Sequence, residues 1–486
     1  MEKPGSTSFF SEFMNSVAEQ GWALLPRALR GARRDEELDE LIAALVSSRG
    51  EASGVAIARA ILSHYQTMDA AERLRFFSTL NEQLMPDKER VTRAATRYIA
   101  DPSPQALSAL QQVVDSPRQE FFRRLNLARG ATAALVKMRE DLLSLLRAHP
   151  ELQPVDNDLK HLLMSWFNRG FLELRHIDWQ TPAAILEKII AYEAVHEIAG
   201  WDDLRRRLEP SDRRCFAYFH PSLTDEPLIF VEVALLQSAP AAIHDVLREP
   251  PNGEREGGAP TTAVFYSISN CQKGLRGISF GNFLIKHVVE DLLKEQPQLK
   301  TFITLSPVPG FTAWLQRVLD SEGVDDGRVV LDDQARAQVA SLIGHRAGND
   351  ATPDISAITA DDDAGLRSLV LSLAAHYFLH AKSSQGGPFD PVARFHLGNG
   401  ARLERINWRG DLSPKAMRGA LGLMVNYLYE RRQIEVNHEA FVNEGKIAAA
   451  RTVRSLLRVG GAKASSPAQK RAPAQAALPP PRKATV

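Results

Sequence analysis

The stretch that decides the fold begins Thr261-Thr-Ala-Val-Phe-Tyr-Ser-Ile-Ser269 and continues Cys271-Gln-Lys-Gly274-Leu-Arg-Gly277-Ile-Ser-Phe-Gly281. Phe283-Leu-Ile-Lys-His-Val-Val-Glu-Asp-Leu-Leu293 follows, then a second apolar run ending Leu305-Ser-Pro-Val-Pro-Gly-Phe311. The first segment is rich in β-branched and aromatic residues, as a strand is. The third has apolar residues at helical spacing. The spacing therefore predicts strand, glycine loop, helix from near Asn282, strand at Thr301–Leu305, and helix at Thr312–Glu322. Glycines ahead of a helix start let backbone N–H groups approach an anion, and the helix dipole favours negative charge there. The loop therefore reads as a phosphate or pyrophosphate site.

Working outward, residues 8–169 carry helical periodicity throughout. Leu38, Leu41, Ile42 and Leu45 make one apolar stripe, and Leu135, Met138, Leu142, Leu145 and Leu146 another. Asp101-Pro-Ser-Pro104 and His149-Pro150 punctuate the helices. This half has no histidine cluster, glycine loop or nucleophile motif, and reads as a scaffold or oligomerisation module. From Gly170 strands enter, at 215–220, 228–235, 261–269, 301–305 and 422–429. Helices are expected at Ala183–Ile198 (Thr181-Pro182 as N-cap and N1), Ala239–Arg248 (Ser238 as N-cap) and Gly365–Lys382. Asn399-Gly400 sits between two apolar runs and predicts a two-residue hairpin, which puts His396 on a strand. The antiparallel pair makes the expected sheet mixed. After Glu444 no acidic residue occurs, and residues 460–486 have the composition of a disordered basic tail.

The 486 residues are 44% hydrophobic and 24% charged, with formal net charge +0. That balance supplies no field to draw nucleic acid or an anionic membrane. Cys215 and Cys271 alone make no disulfide framework and no zinc site, and suit a reducing, cytoplasmic setting. No apolar run spans a bilayer, the N-terminus lacks the pattern of a secretory signal, and the C-terminus lacks a peroxisomal one.

Several residues invite chemistry, each with a plain alternative. Gly277-Ile-Ser279-Phe-Gly281 matches the G-x-S-x-G nucleophile elbow. That motif needs a strand running straight into the serine, whereas the polar Asn270–Arg276 intervenes, so Ser279 reads as a phosphate contact. Ser306 stands at a strand end fixed by Pro307 and Pro309, where α/β sheets place chemistry, or is a turn serine. His396, flanked by Phe395 and Leu397, is either functional or a hydrogen-bonded core residue. His376 and His380 lack the glutamate of H-E-x-x-H and read as a packing or solvated pair. His220 and Asn426, Tyr427 and Tyr429 mark further strand ends.

These segments together resemble the malonyl-CoA decarboxylase family. The resemblance is carried by Phe219-His-Pro-Ser-Leu223, Phe265-Tyr-Ser-Ile-Ser269, Gly274-Leu-Arg-Gly-Ile278 with Gly281-Asn-Phe-Leu-Ile-Lys286, and Leu305–Phe311. It is carried also by Asp390-Pro-Val-Ala-Arg-Phe-His-Leu-Gly-Asn-Gly400, Arg405-Ile-Asn-Trp408 and Gly422-Leu-Met-Val-Asn-Tyr427, in the family's order over most of residues 170–445. It implies an all-α helical domain for self-association (1–170, as a homotetramer or homodimer), then an α/β (α+β) mixed-sheet catalytic domain of the GNAT acyltransferase type (171–459), then the tail. It implies that malonyl-CoA becomes acetyl-CoA and CO2 with no cofactor or metal. Leu275, Arg276, Gly277, Ile278, Ser279, Phe280 and Gly281 would bind the CoA phosphates, Ser306 would be the polar catalytic residue, His396 the proton donor, and Tyr429 a further active-site residue. Ser279 departs from the family, some members of which carry a glutamate in the loop. An acyltransferase of the same fold would also need an acceptor site and a base. A non-catalytic acyl-CoA sensor would need the loop without Ser306 or His396.

Overall fold

A computed structural model describes residues 34–47, 51–248, 258–278, 283–320, 329–346, 349–350, 364–384, 386–458 and 463–464. It has the expected class: a helical N-terminal region, then a mixed α/β region. The chain divides into two compact units, residues 1–236 with 257–299, and residues 237–256 with 300–486.

Among the described residues the first unit opens with eight α-helices: α1 (Arg34–Val46), α2 (Glu51–Gln66), α3 (Ala70–Gln83), α4 (Lys88–Ala100), α5 (Pro104–Val114), α6 (Pro117–Leu125), α7 (Ala131–Leu145) and α8 (Gln153–Trp166). Their starts are written locally. Asp69 and Glu72 form a capping box, Asp87 caps α4, and Ser103-Pro104 and Ser116-Pro117 pair a capping hydroxyl with proline at N1. The stripe Leu38, Leu41, Ile42 and Leu45 is buried, as are Leu135, Met138 and Leu142. Phe76, Phe77, Phe121 and Phe122 fill the middle of their core.

The same unit holds an antiparallel meander, β1 (Glu173–Ile177), β2 (Arg213–Phe219), β3 (Ile229–Leu236) and β4 (Thr262–Asn270). On β4, Tyr266 is the extra residue of a bulge, since Glu232 pairs Ser267 and Val233 pairs Phe265. The helix after Pro182 ends at Tyr192 rather than Ile198, because Glu193 turns to accept the N–H groups of Val195 and His196. Thr181 is not its cap; its hydroxyl bonds Asp178 instead. The helix expected after the glycine loop runs Phe283–Glu295.

In the second unit, the short strands β7 (Val329–Val330), β8 (His345–Arg346) and β9 (Asn349–Asp350) precede β10 (Arg402–Asn407), and β11 (Met424–Leu428) lies antiparallel to β10 on one side. On the other it meets β5 (Thr301–Thr304) and β6 (Ser306–Pro307). Helices Phe311–Asp320 and Ala364–His380 match their expected positions. The helix expected at Ala239–Arg248 shrinks to His244–Leu247. The carbonyls of Ala239 and Pro240 serve instead as acceptors for the Arg405 guanidinium. Of the expected disordered tail, Lys463 and Ala464 form a short strand against Val329–Val330, and the remainder lies outside the described residues, as do residues 8–33 of the helical stretch.

Candidate active site

The clearest departure from the sequence reading concerns His396. Asn399-Gly400 is not a hairpin turn, and His396 is not on a strand. It sits in a helix, Pro391–Gly398, capped by Asp390, whose Oδ1 accepts the Ala393 N–H at 2.8 Å. Asp-Pro is an N-cap followed by an N1 proline, a start signal that the Asn-Gly pair masked. At the other end the Gly400 N–H reaches the Leu397 carbonyl and the Ala401 N–H reaches that of His396. These two bonds are a Schellman cap, with Gly400 as its left-handed residue at φ +78°. A side chain at Gly400 would also overlap the Ile434 carbonyl. Asp390 itself is buried and accepts the Tyr377 hydroxyl at 2.9 Å, so the helix start is anchored twice.

From this helix the imidazole meets two strand residues, Ser306 and Tyr427, and Tyr429 just past the end of β11. Ser306 Oγ lies 3.2 Å from His396 Nε2 and donates to Thr304 Oγ1 at 2.9 Å. Tyr429 Oη lies 2.8 Å from Nδ1. The Tyr427 ring stacks on the imidazole with centroids 4.5 Å apart. Strand parity explains the convergence. Side chains two apart share a face, so Tyr427 and Tyr429 flank the same imidazole while Thr304 and Ser306 point together. The Ser306 pairing with Val425 and the Tyr429 N–H bond to the Phe302 carbonyl fix the register. Thus Ser306, His396 and Tyr429, expected from the sequence, are in one hydrogen-bonded chain, and all three are buried.

A hydroxyl has one proton. With that of Ser306 given to Thr304, its contact with His396 requires hydrogen on Nε2, and Nδ1 then accepts the Tyr429 O–H. Burial pushes the His396 imidazole down to about 3 and raises the Tyr429 phenol well above its ordinary value. The hydrogen-bonded chain is therefore uncharged at neutral pH, although the resemblance makes His396 the proton donor. Stability should follow. Between pH 6.5 and about 3 the unfolded chain binds a proton at this histidine and the folded chain does not, so stability falls on acidification through that window. We expect the stability gap between wild type and His396→Gln to shrink by roughly 2–3 kcal/mol from pH 7.5 to 4.5. Urea titrations of both proteins at the two pH values measure it, and a constant gap contradicts the buried neutral imidazole.

On the other side of β11, Asn426 Nδ2 donates to the Thr304 carbonyl at 2.7 Å. Its Oδ1 accepts from Asn407 and Arg405, each at 2.9 Å. Asn407 and Arg405 of the quoted motif thus hold the strand that carries the tyrosines. Sequence reasoning missed Thr304, although Thr-x-Ser on one strand face was a visible signal, and named Tyr427 only as a strand end. His220 is a structural residue: Nε2 meets the Trp166 carbonyl and Nδ1 accepts the Ser222 N–H. His376 packs against His380 with rings 5.6 Å apart, as the packing reading expected.

The glycine loop belongs to the first unit. Leu275, Arg276, Gly277 and Ile278 are described, and Ser279, Phe280 and Gly281 lie outside the described residues. Leu275 and Ile278 are buried in the core of the helical region, each contributing roughly 1.5–3 kcal/mol by burial. Gly274 presses on α7 so closely that a Cβ would overlap the Val136 carbonyl. Arg139 of α7 is buried. Its Nη1 donates to the carbonyls of Gly274 (2.7 Å) and Arg276 (2.9 Å), while its Nε donates to Asp156 of α8 at 2.8 Å. The loop backbone is thus fixed by the helical half, which the sequence reading took to hold no part of a site.

Residues 170–467 match the family model "Malonyl-CoA decarboxylase C-terminal domain" and residues 84–167 match "Malonyl-CoA decarboxylase N-terminal domain". The mitochondrial malonyl-CoA decarboxylase of Anser anser anser is 34% identical over 416 residues, covering 81% of this chain and 82% of the goose protein. The crystal structure of malonyl-CoA decarboxylase from Rhodopseudomonas palustris superposes with TM-score 0.77 at 52% identity, over 87% of this chain and all of that one. That from Agrobacterium vitis superposes with TM-score 0.76 at 50% identity, over 87% of this chain and 99% of that one.

Proposed function

Because the chain belongs to the malonyl-CoA decarboxylase family, we propose that the buried Ser306–His396–Tyr429 chain carries its decarboxylation chemistry. The protein is a carboxy-lyase converting malonyl-CoA to acetyl-CoA and CO2. The observation that carries the site assignment is the unbroken hydrogen-bond path from Tyr429 through His396 to Ser306.

The thioester is its own electron sink. When the C–C bond to the carboxylate breaks, its electron pair moves into the thioester as an enolate, CO2 leaves, and one proton must then be added at C2. The reaction consumes one proton overall. In the free protein His396 is neutral because no nearby charge offsets the cost of burying an imidazolium. A substrate carboxylate supplies that charge, so the imidazole takes up its proton with the substrate and releases it to the enolate from Nε2, directly or through Ser306. With substrate bound, the Ser306 hydroxyl turns its proton from Thr304 to the carboxylate and so orients it. Tyr429 fixes the ring. Preorganised donors at the developing oxyanion are usually the largest single contribution.

Leu275–Gly281 takes the CoA phosphates, through N–H groups of a loop whose glycines keep the backbone bare. The helical half carries self-association, as a homodimer or homotetramer. Its α4 and α5 leave Ile99, Leu107 and Val114 exposed, and α4 buries no residue. Among the described residues no helix is long and apolar enough to cross a membrane. Cys215 and Cys271 are buried and unbridged, which supports a cytoplasmic setting.

Purified protein given malonyl-CoA alone should yield acetyl-CoA by mass spectrometry. Dialysis against EDTA should leave the rate intact, since the electron pair needs no metal or organic sink. A loss restored by a divalent ion would overturn the cofactor-free mechanism.

A further inference from the structure

We infer that Lys160, from helix α8 of the N-terminal half, is a phosphate-binding residue for the CoA moiety. The inference rests on the reading that the glycine loop takes the CoA phosphates, and extends its described part, Leu275–Ile278, to the helical region.

The placement is specific. Lys160 Nζ lies 3.5 Å from where a Cβ on Gly277 would stand, and its Cε 3.6 Å. Gly277 has φ +76°, a left-handed conformation that glycine adopts freely, so the ammonium faces bare main chain in the middle of the loop. The lysine is half-buried, and no hydrogen bond or ion pair occupies it among the described residues. A lysine on a helix ordinarily finds a carboxylate four residues away. Asp156 is that residue, but its Oδ1 is taken by Arg139 and its Oδ2 accepts from Gln153. The neighbouring Asp158 is committed to Arg118 and Gln119. The sequence thus places a cation beside the loop and spends the nearby acids elsewhere.

Arg139 adds the second half of the argument. It holds the Gly274 and Arg276 carbonyls, turning two acceptors inward and away from an incoming anion. What remains beside Gly277 is the Lys160 ammonium and the exposed side chain of Arg276. A lone half-buried ammonium against glycine backbone suits a phosphoryl oxygen, to which lysine binds as a compact charge.

The test uses the full chain. Calorimetric titration of CoA into Lys160→Met should give a Kd raised roughly ten- to a hundredfold, the range for losing one hydrogen bond to a charged group, and Lys160→Arg should recover part of it. Dephospho-CoA locates the contact. A loss that persists assigns the lysine to the pyrophosphate, and one that vanishes assigns it to the ribose phosphate; either supports the inference. With malonyl-pantetheine, which has neither group, Lys160→Met and wild type should have the same kcat/KM, and a loss there would overturn the inference. Gly277→Val separates the two readings. If it abolishes CoA binding while Lys160→Met binds as wild type does, the loop reading stands and the role of Lys160 falls. If neither changes CoA affinity in a folded protein, the loop reading falls first.

Discussion

His396→Asn and Ser306→Ala should each turn over malonyl-CoA about 10²–10⁴-fold more slowly than wild type, with KM changed far less. Asparagine can keep a hydrogen bond to Tyr429 or Ser306, but it cannot take up and release a proton. Alanine removes the hydroxyl that stands 3.2 Å from Nε2 and leaves Thr304 Oγ1 with the Tyr427 N–H as its remaining donor. Both losses fall on charge moving to and from the thioester, hence on kcat. Because the two groups are links of one path, the double variant should be little slower than the slower single one. In heavy water the wild type should place one deuterium on the product methyl group. Wild-type rates in both single variants would show that the buried chain is architecture and the chemistry lies elsewhere.

Arg139→Ala carries the second large effect, and it is structural. The guanidinium serves a buried carboxylate and two loop carbonyls at once. Its removal leaves Asp156 charged and unpaired in the core, which costs about 3–5 kcal/mol, and leaves two backbone acceptors unmet. Denaturant titration should show the loss of stability, and CoA affinity should fall with it because the loop is no longer held. Arg139→Lys should lie between, since an ammonium can pair Asp156 but lacks the fork that reaches both carbonyls. A variant as stable and as CoA-competent as wild type would remove Arg139 from this role.

Much of this was legible in the sequence, and the reasons are local. The strand, glycine loop, helix and strand from Thr261 to Leu305 appear because their signals are short-range: β-branched runs, glycines, apolar residues at helical spacing. Ser306, His396 and Tyr429 were named from motifs, and the structure brings all three together. The element under His396 was misread because Asn-Gly serves both a hairpin and a helix end. The deciding fact is the Ile434 carbonyl pressed on Gly400, which lies far along the chain. Thr304 was passed over because its importance is a parity relation across β11, and Arg139 and Lys160 because nothing near them in sequence announces a loop more than a hundred residues away.

That separation has a consequence for how the protein is made. The pair Arg139–Asp156 spans 17 positions, so it can form as soon as α7 and α8 leave the ribosome. Gly274 arrives 135 positions after Arg139. At roughly 5–20 residues per second, the helices wait several seconds or more for the segment whose Leu275 and Ile278 complete their core. During that interval two of the Arg139 hydrogen bonds are open to water, and the loop, once emerged, closes that core. The helical half and the loop should therefore complete one another late in synthesis. A chain started after the helices should leave the two loop carbonyls without the guanidinium that holds them.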